Sequence, residues 1–112
     1  MIGAINGAAI GLGNDVASLC DIRIAASTAR FLMAYANIGA PADGGSSYLL
    51  PRLVGAGRAM ELYLASQPTG APAALEMGLI TQLVEEDSLR RHAMETAAKL
   101  AQGPTAAYAK VK

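Results

Sequence analysis

One feature constrains this chain most: a glycine turn that passes directly into a helix start. Residues 2–6 form a short apolar run ending at Asn6-Gly7, a strand followed by a turn signal. Gly11-Leu12-Gly13 then reverses the chain, and Asn14 or Asp15 opens a helix through Leu19, since both residue types cap helix N-termini. The alternation continues. Residues 22–26 read as a buried strand and 30–33 as another, with a loop over 37–43 that holds Gly39, Pro41 and Asp43. Helices are expected over 45–50 and 56–65, then a short one over 72–77 stopped by Gly78. A strand over 79–84 precedes the strongest helix, 87–101, whose Leu89, Ala93, Thr96, Ala97 and Leu100 form one apolar stripe. Gly103-Pro104 ends it, and 105–112 begins a further helix. Short strands alternating with helices define an α/β class.

Charge narrows the functions open to such a fold. Nine basic and nine acidic residues cancel, which argues against a protein that meets nucleic-acid phosphates or an anionic membrane surface with a basic face. No stretch approaches the roughly 20 apolar residues that span a bilayer, and 1–13 lacks the basic start of a secretory signal. Cys20 is the only cysteine, which excludes an internal disulfide framework and fits a reducing, cytoplasmic setting. Only 16% of residues are charged while 53% are apolar, against about a quarter or more charged on an ordinary surface. Some apolar surface is therefore expected to be covered by another chain or by a segment outside this sequence.

The chemistry is sparse. The N–H groups of the turn at Gly11–Gly13 open a helix and can hold a phosphate or a developing oxyanion, or serve only as a turn. The dinucleotide fingerprint fails, because Val16 stands where its last glycine belongs, and no P-loop ending is present. Asp15 fits a first-turn acid favoured by the helix dipole, or a carboxylate held in an apolar setting. Asp43, beside Gly44-Gly45, fits either a helix N-cap or an acid placed in a loop for chemistry. His92 lies beside Arg90 and Arg91 and reads as solvent-facing, which leaves Ser46, Ser47 and Cys20 without a histidine partner for nucleophilic work. No cluster of metal ligands is present in the sequence pattern.

Several segments together carry a resemblance. Ile2-Gly-Ala-Ile-Asn-Gly-Ala-Ala-Ile-Gly-Leu-Gly-Asn-Asp15 and Cys20-Asp-Ile-Arg-Ile-Ala-Ala26 closely resemble the crotonase superfamily of enoyl-CoA hydratases and isomerases. Ala29-Arg-Phe31, Asn37-Ile-Gly39, Gly44-Gly45, Leu50-Pro-Arg-Leu-Val-Gly55, Arg58-Ala-Met-Glu-Leu62 and Ala74-Leu-Glu-Met-Gly-Leu-Ile80 agree in order and spacing. The resemblance covers essentially all of residues 1–112 and implies a crotonase-like spiral of ββα units, here incomplete. Family subunits are about twice as long. The earlier strands, with a loop supplying one oxyanion-hole N–H and much of the coenzyme A site, and the final helices have no counterpart here.

The same resemblance implies site roles. The Leu12 N–H takes the position that donates to the thioester oxygen, and its leucine side chain narrows the acyl pocket. The first hydratase glutamate falls on Asp15, and the second falls on Tyr35. A phenol is a poor base at neutral pH, so ordinary hydration is disfavoured. Asn37-Ile-Gly-Ala-Pro-Ala-Asp43-Gly-Gly resembles the isomerase branches, in which an aspartate at this loop shuttles a proton along the acyl chain. Asp43 is accordingly the expected catalytic acid-base, with Asp15 as helper or structural acceptor. Gly11, Tyr35, Ile38 and Tyr48 are the expected pocket residues. The implied partner is an acyl-CoA thioester, in which coenzyme A is part of the substrate and no separate cofactor is needed. The implied assembly is a homo-oligomer, a trimer or hexamer. A hydratase using Asp15, and a catalytically silent assembly piece, remain the alternatives.

Overall fold

A computed structural model describes residues 1–111. The chain runs β1 (Ile2–Ile5), β2 (Ala8–Ile10), α1 (Leu12–Ser18), β3 (Ile22–Ala26) and β4 (Arg30–Leu32). A 3-10 helix over Ala34–Ile38 leads to α2 (Ser46–Val54) and α3 (Ala56–Ala65). Then come β5 (Thr69–Gly70), α4 (Ala71–Glu76), β6 (Gln82–Val84), α5 (Leu89–Ala101) and α6 (Thr105–Val111). The expected helix over 105–112 is thus present as far as Val111, and Lys112 lies outside the described residues.

Two small sheets result, ordered β1-β3-β6 and β2-β4-β5. The first is parallel throughout, with Ile2 opposite Ile22 and Ile24 opposite Gln82. In the second, β2 and β4 are parallel with Ala9 opposite Phe31, while β5 closes antiparallel on β4. The first two passes of the chain thus lay one strand in each sheet before a helix, the ββα repeat that the resemblance implies; in the third, α4 stands between β5 and β6.

Alanine makes this stacking close. Ala9, Ala25, Ala29, Ala59, Ala71 and Ala74 are buried with Phe31, Leu50, Leu79 and Ile80 in the main core. Burying side chains as large as Phe31 or Leu50 contributes about 1.5–3 kcal/mol each. A satellite cluster of Ile24, Ala26 and Leu89 seats α5 on the first sheet, and Ala93, from the expected stripe, packs against it. Arg23 joins the early and late parts of the chain. Its Nε donates to the Leu79 carbonyl at 2.7 Å and its Nη1 to the Cys20 carbonyl at 2.6 Å. Burial lowers the Arg23 pKa, and Cys20 and Asp21 act against that shift.

Several boundaries differ from the sequence expectation. Helix α1 begins at Leu12, because Gly11 takes φ 53° and ψ −120° and completes the turn in a single residue. Helix α2 runs through Pro51 to Val54 instead of stopping at Leu50. The carbonyl that loses its donor there belongs to exposed Ser47, where water can satisfy it. The strand expected over 79–84 is only Gln82–Val84, since Leu79 and Ile80 turn inward to the core. The first two residues of the loop expected over 37–43, Asn37 and Ile38, belong to the 3-10 helix. The helix expected from 87 starts at Leu89, after a 3-10 turn over Glu86–Ser88. His92 is half-buried, with Nε2 2.7 Å from Gln82 Oε1, because its face of α5 packs toward β6.

Candidate active site

Three segments distant in sequence converge beside the start of α1. The first is the turn itself. The Gly11 N–H donates to the Leu32 carbonyl at 2.8 Å, which pins the turn to β4. Leu12 follows as the first helical residue, where a backbone N–H has no acceptor within its own helix. Asn14, Asp15, Ala17 and Ser18 form the buried face of α1. Asp15 makes no helix cap, and it is fully buried, 0% exposed.

The second segment is the 3-10 helix after β4, which carries Tyr35 inward at 8% exposure. Gly39 ends this helix in the left-handed region at φ 65°. The third is the loop to α2, in which Asp43 is exposed and Gly44 lies against α1. Asp43 does not cap α2; Gly45 occupies that position at φ 88°.

The polar contacts between the segments are few and specific. The Tyr35 hydroxyl donates to Asp15 Oδ2 at 2.6 Å. The Gly44 N–H donates to the same oxygen at 3.0 Å. The Tyr35 hydroxyl oxygen also lies 3.2 Å from Asp43 Oδ1. Tyr35 therefore stands between the two acids. Burial holds its phenol above the ordinary tyrosine range, and the hydrogen bond and charge of Asp15, then those of Asp43, push the same way. Among the described residues neither carboxylate forms a salt bridge.

Among the described residues, four buried side-chain polar atoms stand without a partner. Asp15 Oδ1, Asn14 Oδ1, Ser46 Oγ and the Tyr63 hydroxyl are buried and form no hydrogen bond of good geometry. Burial raises the Tyr63 phenol; the Ser46 hydroxyl opposes that shift and the Asp15 charge adds to it. Beyond Tyr35 opens an apolar cavity of about 470 Å³, lined by Tyr35, Ala42, Pro51, Ala59, Met60 and Tyr63 among others. Its size and lining suit a small apolar group.

The structure thus brings Leu12, Asp15, Tyr35 and Asp43 into one neighbourhood, with Gly11 forming the turn. Ile38 and Tyr48 do not line the apolar cavity. Ile38 is 77% exposed at the end of the 3-10 helix. Tyr48 is 61% exposed on α2, and the Arg52 guanidinium stacks 3.5 Å from its ring centroid. Sequence reasoning missed Tyr63, Ser46 and Gly44 as parts of the site. A glycine pair is the only one of these with a local signal. Among the described residues no three His, Cys, Asp or Glu side chains cluster to hold a metal ion. No helix there is long and apolar enough to cross a membrane.

Comparison with known proteins agrees across sequence and structure. A family model described as Enoyl-CoA hydratase/isomerase matches residues 1–112. The chain is 43% identical over 112 residues to a Rhodobacter capsulatus protein named "Probable enoyl-CoA hydratase", covering 100% of this chain and 44% of that protein. It is 42% identical over 105 residues to the 1,2-epoxyphenylacetyl-CoA isomerase of Escherichia coli, covering 94% of this chain and 40% of the isomerase. An enoyl-CoA hydratase crystal structure from Mycobacterium avium superposes with a TM-score of 0.91 at 40% identity, over 95% of this chain and 47% of that one. The chain spans less than half the length of these relatives.

Proposed function

The chain belongs to the enoyl-CoA hydratase/isomerase family, and from that premise we propose that it serves double-bond isomerisation of an acyl-CoA thioester, with Asp43 as the proton carrier. One observation carries this reading. Of the two carboxylates, Asp15 is fully buried and its Oδ2 already accepts from Tyr35 and Gly44, whereas Asp43 is open to solvent. Only one acid-base group is then accessible to a substrate. Moving a double bond needs one such group; adding water across it is better served by two.

In this scheme the thioester oxygen accepts a hydrogen bond from the Leu12 N–H, at the first turn of α1. Such a donor lowers the barrier to the enolate by about 3–4 kcal/mol. The Asp43 carboxylate removes a proton from carbon, and the C–H electron pair passes into the enolate. Asp43 then returns that proton at the γ carbon, so the bond migrates with no net gain or loss of atoms. The apolar cavity beyond Tyr35 takes part of the acyl group. Coenzyme A enters as part of the substrate, and no further cofactor is required. Exposed Met60, Leu64 and Met94 favour an assembly in which another subunit covers them.

The test compares the purified chain with Asp43→Asn and Asp15→Asn on 3-enoyl-CoA and 2-enoyl-CoA. Double-bond migration abolished in Asp43→Asn and only reduced in Asp15→Asn is the expected result. Water addition that depends on Asp15 would transfer the assignment to a hydratase. No turnover and no thioester binding by a folded chain would leave it an assembly piece.

A further inference from the structure

We infer that Tyr35 is the positioning residue of this site: its hydroxyl proton is committed to Asp15, so its oxygen accepts a hydrogen bond from Asp43 whenever Asp43 carries a proton. This deepens the isomerase reading and rests on it for its catalytic meaning. A phenol has one proton and faces two carboxylates here. The contact to Asp15 Oδ2, at 2.6 Å, lies in the range of a charge-assisted O–H···O⁻ bond. The contact to Asp43 Oδ1, at 3.2 Å, is longer than an ordinary O–H···O bond. Asp15 cannot turn away, because it is buried and the Gly44 N–H holds the same oxygen.

The consequence is directional. With the proton held on the Asp15 side, Tyr35 presents lone pairs to Asp43. An ionised Asp43 gains nothing from that face, while a protonated Asp43 donates into it. In the proposed reaction the protonated form exists only between the two proton transfers. Tyr35 thus favours the intermediate stage and orients Oδ1, while it takes no proton itself. Asp15 from α1, Asp43 from the loop and Tyr63 of α3 are the titratable groups around it. This gives a role to a residue expected from the sequence only as a poor base and a pocket residue.

Carboxyl carbon NMR on the full chain tests the arrangement without requiring turnover. At neutral pH, Tyr35→Phe should shift the Asp15 carboxyl resonance and leave that of Asp43 in place. In acid, where Asp43 is protonated, its resonance should differ between the wild-type chain and Tyr35→Phe. Any other pattern at neutral pH overturns the inference, including equal shifts of both acids. The phenyl ring keeps the packing of Tyr35, so a folded variant is expected and circular dichroism verifies it. Where the wild-type chain isomerises 3-enoyl-CoA, Tyr35→Phe should lower kcat about tenfold with KM unchanged. A loss confined to KM would contradict a positioning role. An inactive wild-type chain would count against the isomerase reading, and the NMR result would still decide the proton's place.

Discussion

Gly44 and Asp15 are in direct contact across the site: the Gly44 N–H binds Asp15 Oδ2, and the Gly44 Cα has no room for a side chain. A Cβ at residue 44 would stand 2.7 Å from Asp15 Cβ and 2.8 Å from Leu12 Cδ1, and closer still to Asp15 Oδ2. The clash involves a buried carboxylate fixed by two donors, which has nowhere to move. Gly44→Ala should destabilise the fold by about 1–3 kcal/mol, measured by chemical denaturation. An unchanged midpoint would mean that the loop moves away at no cost.

Asp15 is expected to matter more for structure than for chemistry. Asp15→Leu removes the acceptor of the buried Tyr35 hydroxyl and of the half-buried Gly44 N–H and should cost about 3–5 kcal/mol. Asp15→Asn keeps a carbonyl oxygen toward Tyr35 and Gly44 and should cost less. Equal losses in thermal unfolding would show that the hydrogen bonds contribute nothing beyond shape.

Asp43 should show the opposite balance. It is exposed, so Asp43→Asn should leave stability within about 0.5 kcal/mol. Its double-bond migration should fall by about 10²-fold or more. A variant that retains activity would remove Asp43 from the reaction.

Alkaline pH provides a separate check on Tyr35. Its phenol holds its proton to higher pH when folded than when unfolded, mainly through burial. Its contribution is therefore complete below the unfolded value of about 10 and is lost as pH rises through the folded value. Denaturation midpoints should stay level to about pH 10 and then decline, less steeply in Tyr35→Phe. Tyr63 acts in the same direction, so the double variant should flatten the decline further. A decline identical in all three proteins would assign it elsewhere.

Arg23→Met should cost about 2–4 kcal/mol. It leaves the Leu79 and Cys20 carbonyls without their buried donor. Denaturation of the chain alone measures this, and a neutral result would mean that water replaces the guanidinium.

Much of the fold was readable wherever a run of residues carried its own pattern. The strand over Ile22–Ala26 and the helix over Ala56–Ala65 have the bounds that apolar runs and glycines implied. The strands Ala8–Ile10 and Thr69–Gly70 were not anticipated. At three and two residues they lack any period of their own, and only pairing with Arg30–Leu32 makes them strands. Helix α2 differs in the other direction and runs past Leu50, since a helix tolerates Pro51 where the orphaned carbonyl reaches water. At the site, the residue types at 15 and 43 were legible, but the bridge between them was not. It depends on three segments meeting, and nothing in the local pattern around Tyr35 announces a hydroxyl placed between two acids. Ile38 and Tyr48 illustrate the same limit, because a resemblance in sequence does not indicate which way a side chain faces.

The buried arginine of β3 has a consequence for how the molecule forms. Its donors are complete only once Leu79 arrives, 56 positions later in the chain, and Thr81 pairs with the same strand. A contact that closes so long an intervening stretch is made late, after local helices and turns have already spent their search. Until Leu79 is in place, the Arg23 guanidinium keeps only its local contact to the Cys20 carbonyl. A nascent chain released before Thr81 would therefore leave β3 untied from the later part of the fold.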